Sequence, residues 1–303
     1  MSNEISVNNR FGLPVWVKKA NSIPKTPWDQ HTNDLKSDLK ERLRRFRVMD
    51  PVVTMAIIAW NEEKNIVRTL STLANQHIDI PTEILVMDNN SSDHTRQVCL
   101  DLDVRVVEER KQGRAHARLH GLLMSRGQYH LCCDADTLYP PHWAMTLIEA
   151  LNKPGVTLSY GNYSFLPNDH NSRLKLGLYE LIAERATKLR KIRREYLNVR
   201  GPNFAFYRKD GLAVRGFELK YTRSLEDRSV VYGEDSKMAR KLAEIGNLVH
   251  IKFSKTRIYT SHRQLVAEGS LIKVFFKHAL REAGRIFEYL FGFRKPIETS
   301  DQL

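Results

Sequence analysis

Tyr129-His130-Leu131-Cys132-Cys133-Asp134-Ala135-Asp136-Thr137 is a short apolar run that ends in two carboxylates one residue apart. In an extended chain, residues i and i+2 project to the same face, roughly 6.6 Å apart, so Asp134 and Asp136 can converge on one cation. The same rhythm of apolar run and polar end repeats upstream. Val52 to Ala59, bounded by Pro51 and Asn61-Glu62-Glu63, predicts a buried strand feeding a helix over about Glu62 to Asn75. Glu83 to Met87 predicts a second strand, and Asp88-Asn89-Asn90-Ser91-Ser92-Asp93 a turn and helix cap before a helix at Thr95 to Leu100. A third strand over Val104 to Glu108 and a helix over Gly113 to Ser125 lead to the fourth strand, Gln128 to Cys133. Strands alternating with helices at this spacing predict an α/β fold with a parallel sheet, whose ligands gather at the carboxyl ends of the strands.

The chain has 303 residues, 42% hydrophobic and 27% charged, enough for a sizeable core in a globular protein. Met1 to Arg10 is polar and the longest apolar run is too short to cross a bilayer, so a cytoplasmic protein is expected. Cys99, Cys132 and Cys133 cannot form a disulfide framework and read as buried reduced thiols. The net charge of +13 asks for an anionic partner: nucleic acid, anionic lipid or a phosphorylated small molecule. No nucleic-acid module is recognisable, which ranks a nucleic-acid-binding protein last.

Residues 1–50 read as an N-terminal arm, extended around Pro14, Pro24 and Pro27, followed by a charged helix from Asp34 to Arg47. In the second half, Val156 to Tyr160 predicts a strand and Leu174 to Leu197 a long helix with Leu178, Ile182, Leu189 and Ile192 near one face. That basic amphipathic helix packs on the sheet, lies on an anionic membrane or grips a phosphorylated acceptor. A helix over Ser236 to Ile245 follows Gly233-Glu234-Asp235, and a strand over Arg257 to Tyr259 precedes His262 and Arg263. Residues 264–303 form a C-terminal helical extension over Gly269 to Phe293. Its first half is expected to dock on the core, and its aromatic tip is the part suited to the inner face of a membrane.

No glycine-rich phosphate loop follows any of these strands, which argues against P-loop hydrolases and dinucleotide dehydrogenases. Paired aspartates without such a loop suit a pyrophosphate held through Mg²⁺ or Mn²⁺.

Taken in order, several segments resemble the family 2 glycosyltransferases of the GT-A fold. They are Ile57-Ile58-Ala59-Trp60-Asn61-Glu62, Asp88 to Thr95, Gly113 to Gly121 with Ala117-Arg118, Asp134-Ala135-Asp136, Gly201-Pro202-Asn203, Gly216-Phe217 and Gly233-Glu234-Asp235. The resemblance covers about Val52 to Arg263. It implies a Rossmann-like, mostly parallel sheet flanked by helices, with a nucleotide-sugar half over 51–160 and an acceptor half over 161–263. It further implies a nucleoside-diphosphate sugar donor and an acceptor hydroxyl, with a lipid-linked or phosphorylated acceptor allowed.

The resemblance distributes roles along the chain. Ala59, Asn61, Glu62 and Asn90 line the nucleoside, and Asp88 accepts a hydrogen bond from the base, as a carboxylate can. Gly113, Arg114 and Arg118 stand at a helix start suited to the diphosphate, although two arginines on a solvated helix face would read the same way. Family members often carry Asn after this Ala-Arg, where this chain has Leu119. Asp134 and Ala135 contact the ribose or sugar, and Asp136, with Asp134 and a late histidine, His262, holds the metal. Gly201-Pro202-Asn203 lines sugar and acceptor. Asp235 is the general base of an inverting transfer, with Glu234 the alternative. A sugar-nucleotide nucleotidyltransferase remains the rival activity. The segment after Asp235 lacks Gln-x-x-Arg-Trp, which argues against processive synthesis.

Overall fold

Val53–Ala59, Thr82–Asp88 and Tyr129–Asp134 are buried along nearly their whole length. A strand achieves that only inside a sheet covered on both faces. In the computed structural model, which describes residues 11–218, 233–252, 254–261, 263 and 280, these runs sit in the middle of the main sheet. The elements in chain order are α1 (Val15–Asn21), α2 (Asn33–Leu43), β1 (Val53–Ala59), α3 (Glu63–Leu73), β2 (Thr82–Asp88), α4 (Thr95–Asp101), β3 (Arg105–Glu108), α5 (Arg114–Met124) and β4 (Tyr129–Asp134). Then come β5 (Thr137–Leu138), α6 (Trp143–Leu151), β6 (Val156–Gly161), β7 (Tyr163–Phe165), α7 (Arg173–Arg190), β8 (Phe204–Tyr207), α8 (Arg208–Ala213), α9 (Glu234–Ala243), β9 (Asn247–Ile251) and β10 (Ile258–Thr260).

The main sheet has seven strands in the order β3-β2-β1-β4-β8-β6-β9, and a small sheet has the order β5-β10-β7. Within the main sheet β8 runs against the other strands. Ala59 lies opposite Asp88, and Ile58 opposite Asp134, so three polar strand ends meet on one edge. Because β8 is reversed, with Phe204 opposite Cys132, the Gly201–Asn203 segment enters the sheet at that same edge. The small sheet closes beside it, pairing Thr260 with Thr137 and Phe165. Adjacent Cys132 and Cys133 point into different core clusters, as neighbours on a strand must.

Three features depart from the sequence reading. The N-terminal segment is not an extended arm: Trp28, Leu39, Leu43 and Phe46 belong to the main core. The Trp28 backbone N–H donates to Glu63 (2.9 Å) and its indole Nε1–H to Asp101 (2.7 Å). Leu39 and Leu43 are one turn apart, and burying that short stripe outweighs the charges around it. Second, the long helix ends at Arg190, and a separate turn covers Glu195–Asn198. Its buried face carries Arg173, Leu176 and Glu180, whereas Leu178, Ile182 and Ile192 are exposed. Burial of Arg173 with Glu180 is compensated by mutual pairing and by Phe165, whose N–H donates to Glu180 (2.8 Å) and whose carbonyl accepts from Arg173 (2.8 Å). Third, Glu234 and Asp235 form the first turn of α9 instead of preceding it. The expectations for His262 and for the helix over Gly269 to Phe293 lie outside the described residues, except for Leu280. Among the described residues no helix is long and apolar enough to cross a membrane.

Candidate active site

The loop after β2 caps the helix after β1. The free N–H groups of the first turn of α3 need acceptors. The Glu62 N–H donates to Thr95 Oγ1 (2.8 Å) and the Glu63 N–H to Asp93 Oδ2 (3.1 Å). Asn61, in the left-handed region at φ 54°, donates its N–H to Ser91 Oγ (2.9 Å) and accepts from the Ser92 N–H (2.8 Å) at Oδ1. Asn90 has a similar φ of 61°, a conformation that asparagine tolerates better than most residues. Asn61, Glu62 and Asn90 are thus brought together at the ends of β1 and β2. Ala59 lies beneath them, buried, its carbonyl accepting from the Asn89 N–H (2.8 Å).

Asp88 is buried next to Ala59, and among the described residues its Oδ1 has no hydrogen-bond partner. A buried carboxylate oxygen left this way is costly unless a ligand completes it. The neighbouring Asn89, which the sequence marked only as part of a turn, holds the next loop. Its Nδ2 donates to the Glu109 (3.0 Å) and Lys111 (2.7 Å) carbonyls, and its Oδ1 accepts from the Gly113 N–H (2.7 Å). The Gly113 N–H is therefore not directed at an anion as expected; glycine is needed there for its φ of 133°.

Arg118 overturns the picture of a solvated helix face. It is only 3% exposed, with Nη2 2.6 Å from Asp134 Oδ1 and Nε 3.9 Å from Glu234 Oε1. Arg114, one turn earlier and exposed, reaches the same Glu234 at 3.5 Å. Burial pushes the Asp134 carboxyl up to about 6, against the pull of Arg118. Burial alone would lower Arg118, but Asp134 and Glu234 hold it above its ordinary value. Asp235 receives the Gly201 N–H at Oδ2 (2.9 Å) and the Ser236 N–H at Oδ1 (2.7 Å), which joins the start of α9 to the segment before β8.

Asp136 faces the small sheet. Arg263 Nη2 lies 3.0 Å from Asp136 Oδ2 and also pairs with Glu62 Oε1, bridging the two carboxylates. Burial and the nearby Asp136 raise the Glu62 carboxyl. Ala135 is buried in the core, its N–H given to the Ile58 carbonyl (3.2 Å) and its carbonyl accepting from Thr69 Oγ1 (2.7 Å). Asn203 is also internal: it accepts from Trp143 Nε1 (2.8 Å) and donates to the Asn162 (2.7 Å) and Thr256 (2.9 Å) carbonyls. The structure makes it a strut under the site, with both amide hydrogens taken.

Among the described residues no three His, Cys, Asp or Glu side chains are grouped to hold a metal ion. The donor chemistry nonetheless suits a hard divalent cation. Asp134 and Asp136 offer carboxylate oxygens, and an arginine already bridges Asp136 and Glu62 with positive charge.

The family model for glycosyl transferase family 2 matches residues 54–214, more than half of the chain. The chain belongs to glycosyl transferase family 2, and its sheet is that of the GT-A fold. It is 25% identical over 121 residues to the glycosyltransferase GlyG of Streptococcus pneumoniae, a match covering 38% of this chain and 40% of that relative. The matched stretch is thus less than half of the relative's length. Among solved structures, mannosyl-3-phosphoglycerate synthase from Rubrobacter xylanophilus is similar with a TM-score of 0.52 and 18% identity, covering 95% of this chain and 87% of that one. A mannosyltransferase from Pyrobaculum calidifontis, in complex with GDP-Man and Mn²⁺, has a TM-score of 0.50 and 19% identity, covering 85% of this chain and 78% of that one. At these identities the two likenesses speak to the fold.

Proposed function

We propose that this protein moves one sugar from a nucleoside-diphosphate sugar to an acceptor hydroxyl with inversion at the anomeric carbon. The observation that carries the reading is the buried Asp88 Oδ1, without a partner among the described residues, at the strand edge it shares with Asp134. An imide or amide N–H of a base is the kind of donor that oxygen lacks. Asn61, Glu62 and Asn90 would flank the nucleoside, and Arg114 would meet the diphosphate. Arg118 acts from below, by fixing Asp134. A divalent cation, Mn²⁺ or Mg²⁺, held by Asp136 with Asp134, would neutralise the charge developing on the departing diphosphate. The Mn²⁺ and GDP-Man in the Pyrobaculum calidifontis complex support both parts of that donor assignment.

Across the site, Asp235 is assigned the acceptor's proton. Each of its oxygens receives one backbone N–H, which orients the carboxylate and leaves a further lone pair on each. As the acceptor oxygen attacks the anomeric carbon, the proton passes to Asp235 and the bond to the diphosphate breaks. Residues 51–160 form the donor half and 161–263 the acceptor half in this reading.

The test is product analysis with a panel of nucleotide sugars and Mn²⁺ or Mg²⁺. Release of nucleoside diphosphate, with an inverted anomer by NMR, is expected. Release of inorganic pyrophosphate would identify a nucleotidyltransferase instead.

A further inference from the structure

Helix α7 turns an unusual face outward. Leu174, Leu178 and Ile182 follow one another every fourth residue and are 65%, 56% and 40% exposed. Lys175, Arg185 and Lys188 are exposed on the same side, and at 100° per residue all six fall within an arc of roughly 140°. The acids of this helix are both engaged elsewhere: Glu180 is buried on Arg173, and Glu184 pairs with Arg257 at 3.0 Å. The outward arc is aliphatic and cationic with no carboxylate.

The outward side of a helix in a soluble domain is normally polar, and a run of exposed aliphatics marks a contact surface. We propose that the outward face of α7 docks on an anionic phospholipid surface. Charge complementarity selects this occupant. Cations beside the aliphatic row can reach headgroups while their stems lie along the acyl boundary, and the whole chain carries +13. Downstream of α7 come the Glu195–Asn198 turn and Gly201, whose N–H holds Asp235. Docking would set the acceptor half beside the headgroups, where a lipid-linked hydroxyl is presented; that last step rests on the transfer reading, while the docking itself does not.

Co-sedimentation of the full chain with phosphatidylcholine vesicles, with and without phosphatidylglycerol, tests it. Binding is expected at least about tenfold tighter to the anionic vesicles, weakening in high salt. Leu178→Ser with Ile182→Ser, and separately Arg185→Glu with Lys188→Glu, should each lower partitioning by about tenfold or more. Hydrolysis of a soluble nucleotide sugar should stay unchanged. The proposal is overturned if anionic vesicles do not pellet the protein or if both variants bind like the parent. It is equally overturned if the serine pair dissolves an oligomer in light scattering, or lowers the melting temperature without changing vesicle binding; a second copy or the chain itself then covers this face. Loss of nucleotide-sugar turnover with vesicle binding intact would count against the transfer reading alone.

Discussion

A methyl group placed on Gly201 would stand 2.6 Å from Nη2 of Arg118. The space a side chain would occupy is filled by a buried guanidinium, and the same glycine's N–H holds Asp235. Gly201→Ala must therefore push apart the arginine that pairs with Asp134 and the backbone that orients Asp235. Overpacking of this kind costs about 1–3 kcal/mol. Calorimetry should find a lower melting temperature, and turnover should fall more than substrate affinity. Parental values for both would show that the contact positions nothing.

Asp136→Ala should reduce turnover by about a thousandfold, at least as severely as Asp235→Ala, because leaving-group stabilisation is commonly the larger effect. Steady-state rates for both variants, with metal and with chelator, decide the order. If chelator-treated Asp136→Ala turns over like the untreated parent, the cation has no place at this carboxylate.

Glu180→Ala takes from buried Arg173 its carboxylate partner and removes an acceptor from the Phe165 N–H and the Ser164 hydroxyl (2.9 Å from Glu180). Removing one member of a buried pair costs about 3–5 kcal/mol. Chemical denaturation should show that loss, with proteolysis beginning around α7. A change below about 1 kcal/mol would mean that Arg173 finds water instead.

His130 is buried, its Nδ1 2.8 Å from Ser125 Oγ. Burial, aided by Arg118 and Arg208, lowers it to about 3. The unfolded chain, with an ordinary value of about 6.5, then binds the extra proton between these limits. Stability contributed by neutral His130 is complete above pH about 6.5 and is lost as pH falls toward 3. Asp134 acts oppositely, its folded value near 6 lying above the unfolded one, so its charged form destabilises as pH rises through 6. His130→Phe isolates the histidine: with the opposing Asp134 contribution left in place, the slope of stability against pH between 4 and 6 should fall by about 1.4 kcal/mol per unit. An unchanged slope would place the acid sensitivity elsewhere.

The strands that carry the site were readable because β1, β2 and β4 are covered on both faces and so show as unbroken apolar runs. Their register then brings Ala59, Asp88 and Asp134 to one edge with no further information. Of the small sheet only β10 was legible, as a strand over Arg257 to Tyr259; β5 and β7 have two and three residues, too few for any periodicity. The depth of Arg118 was not legible, because its partners Asp134 and Glu234 lie 16 and 116 positions away in sequence. Helix α7 misled for the opposite reason. Its leucines have core spacing, but Arg173 and Glu180 satisfy each other and take the inner face.

The cross-capping of α3 by the loop after β2 makes the two walls around the expected nucleoside a single body. Asn61, Ser91, Ser92, Asp93 and Thr95 share hydrogen bonds across both loops, so neither loop can shift without breaking the other's end. A ligand touching one wall is felt by both, and little conformational freedom remains for binding to remove. Substitutions at Asn61 and Thr95 should therefore be non-additive in a double-mutant cycle, although the two residues belong to different βα units.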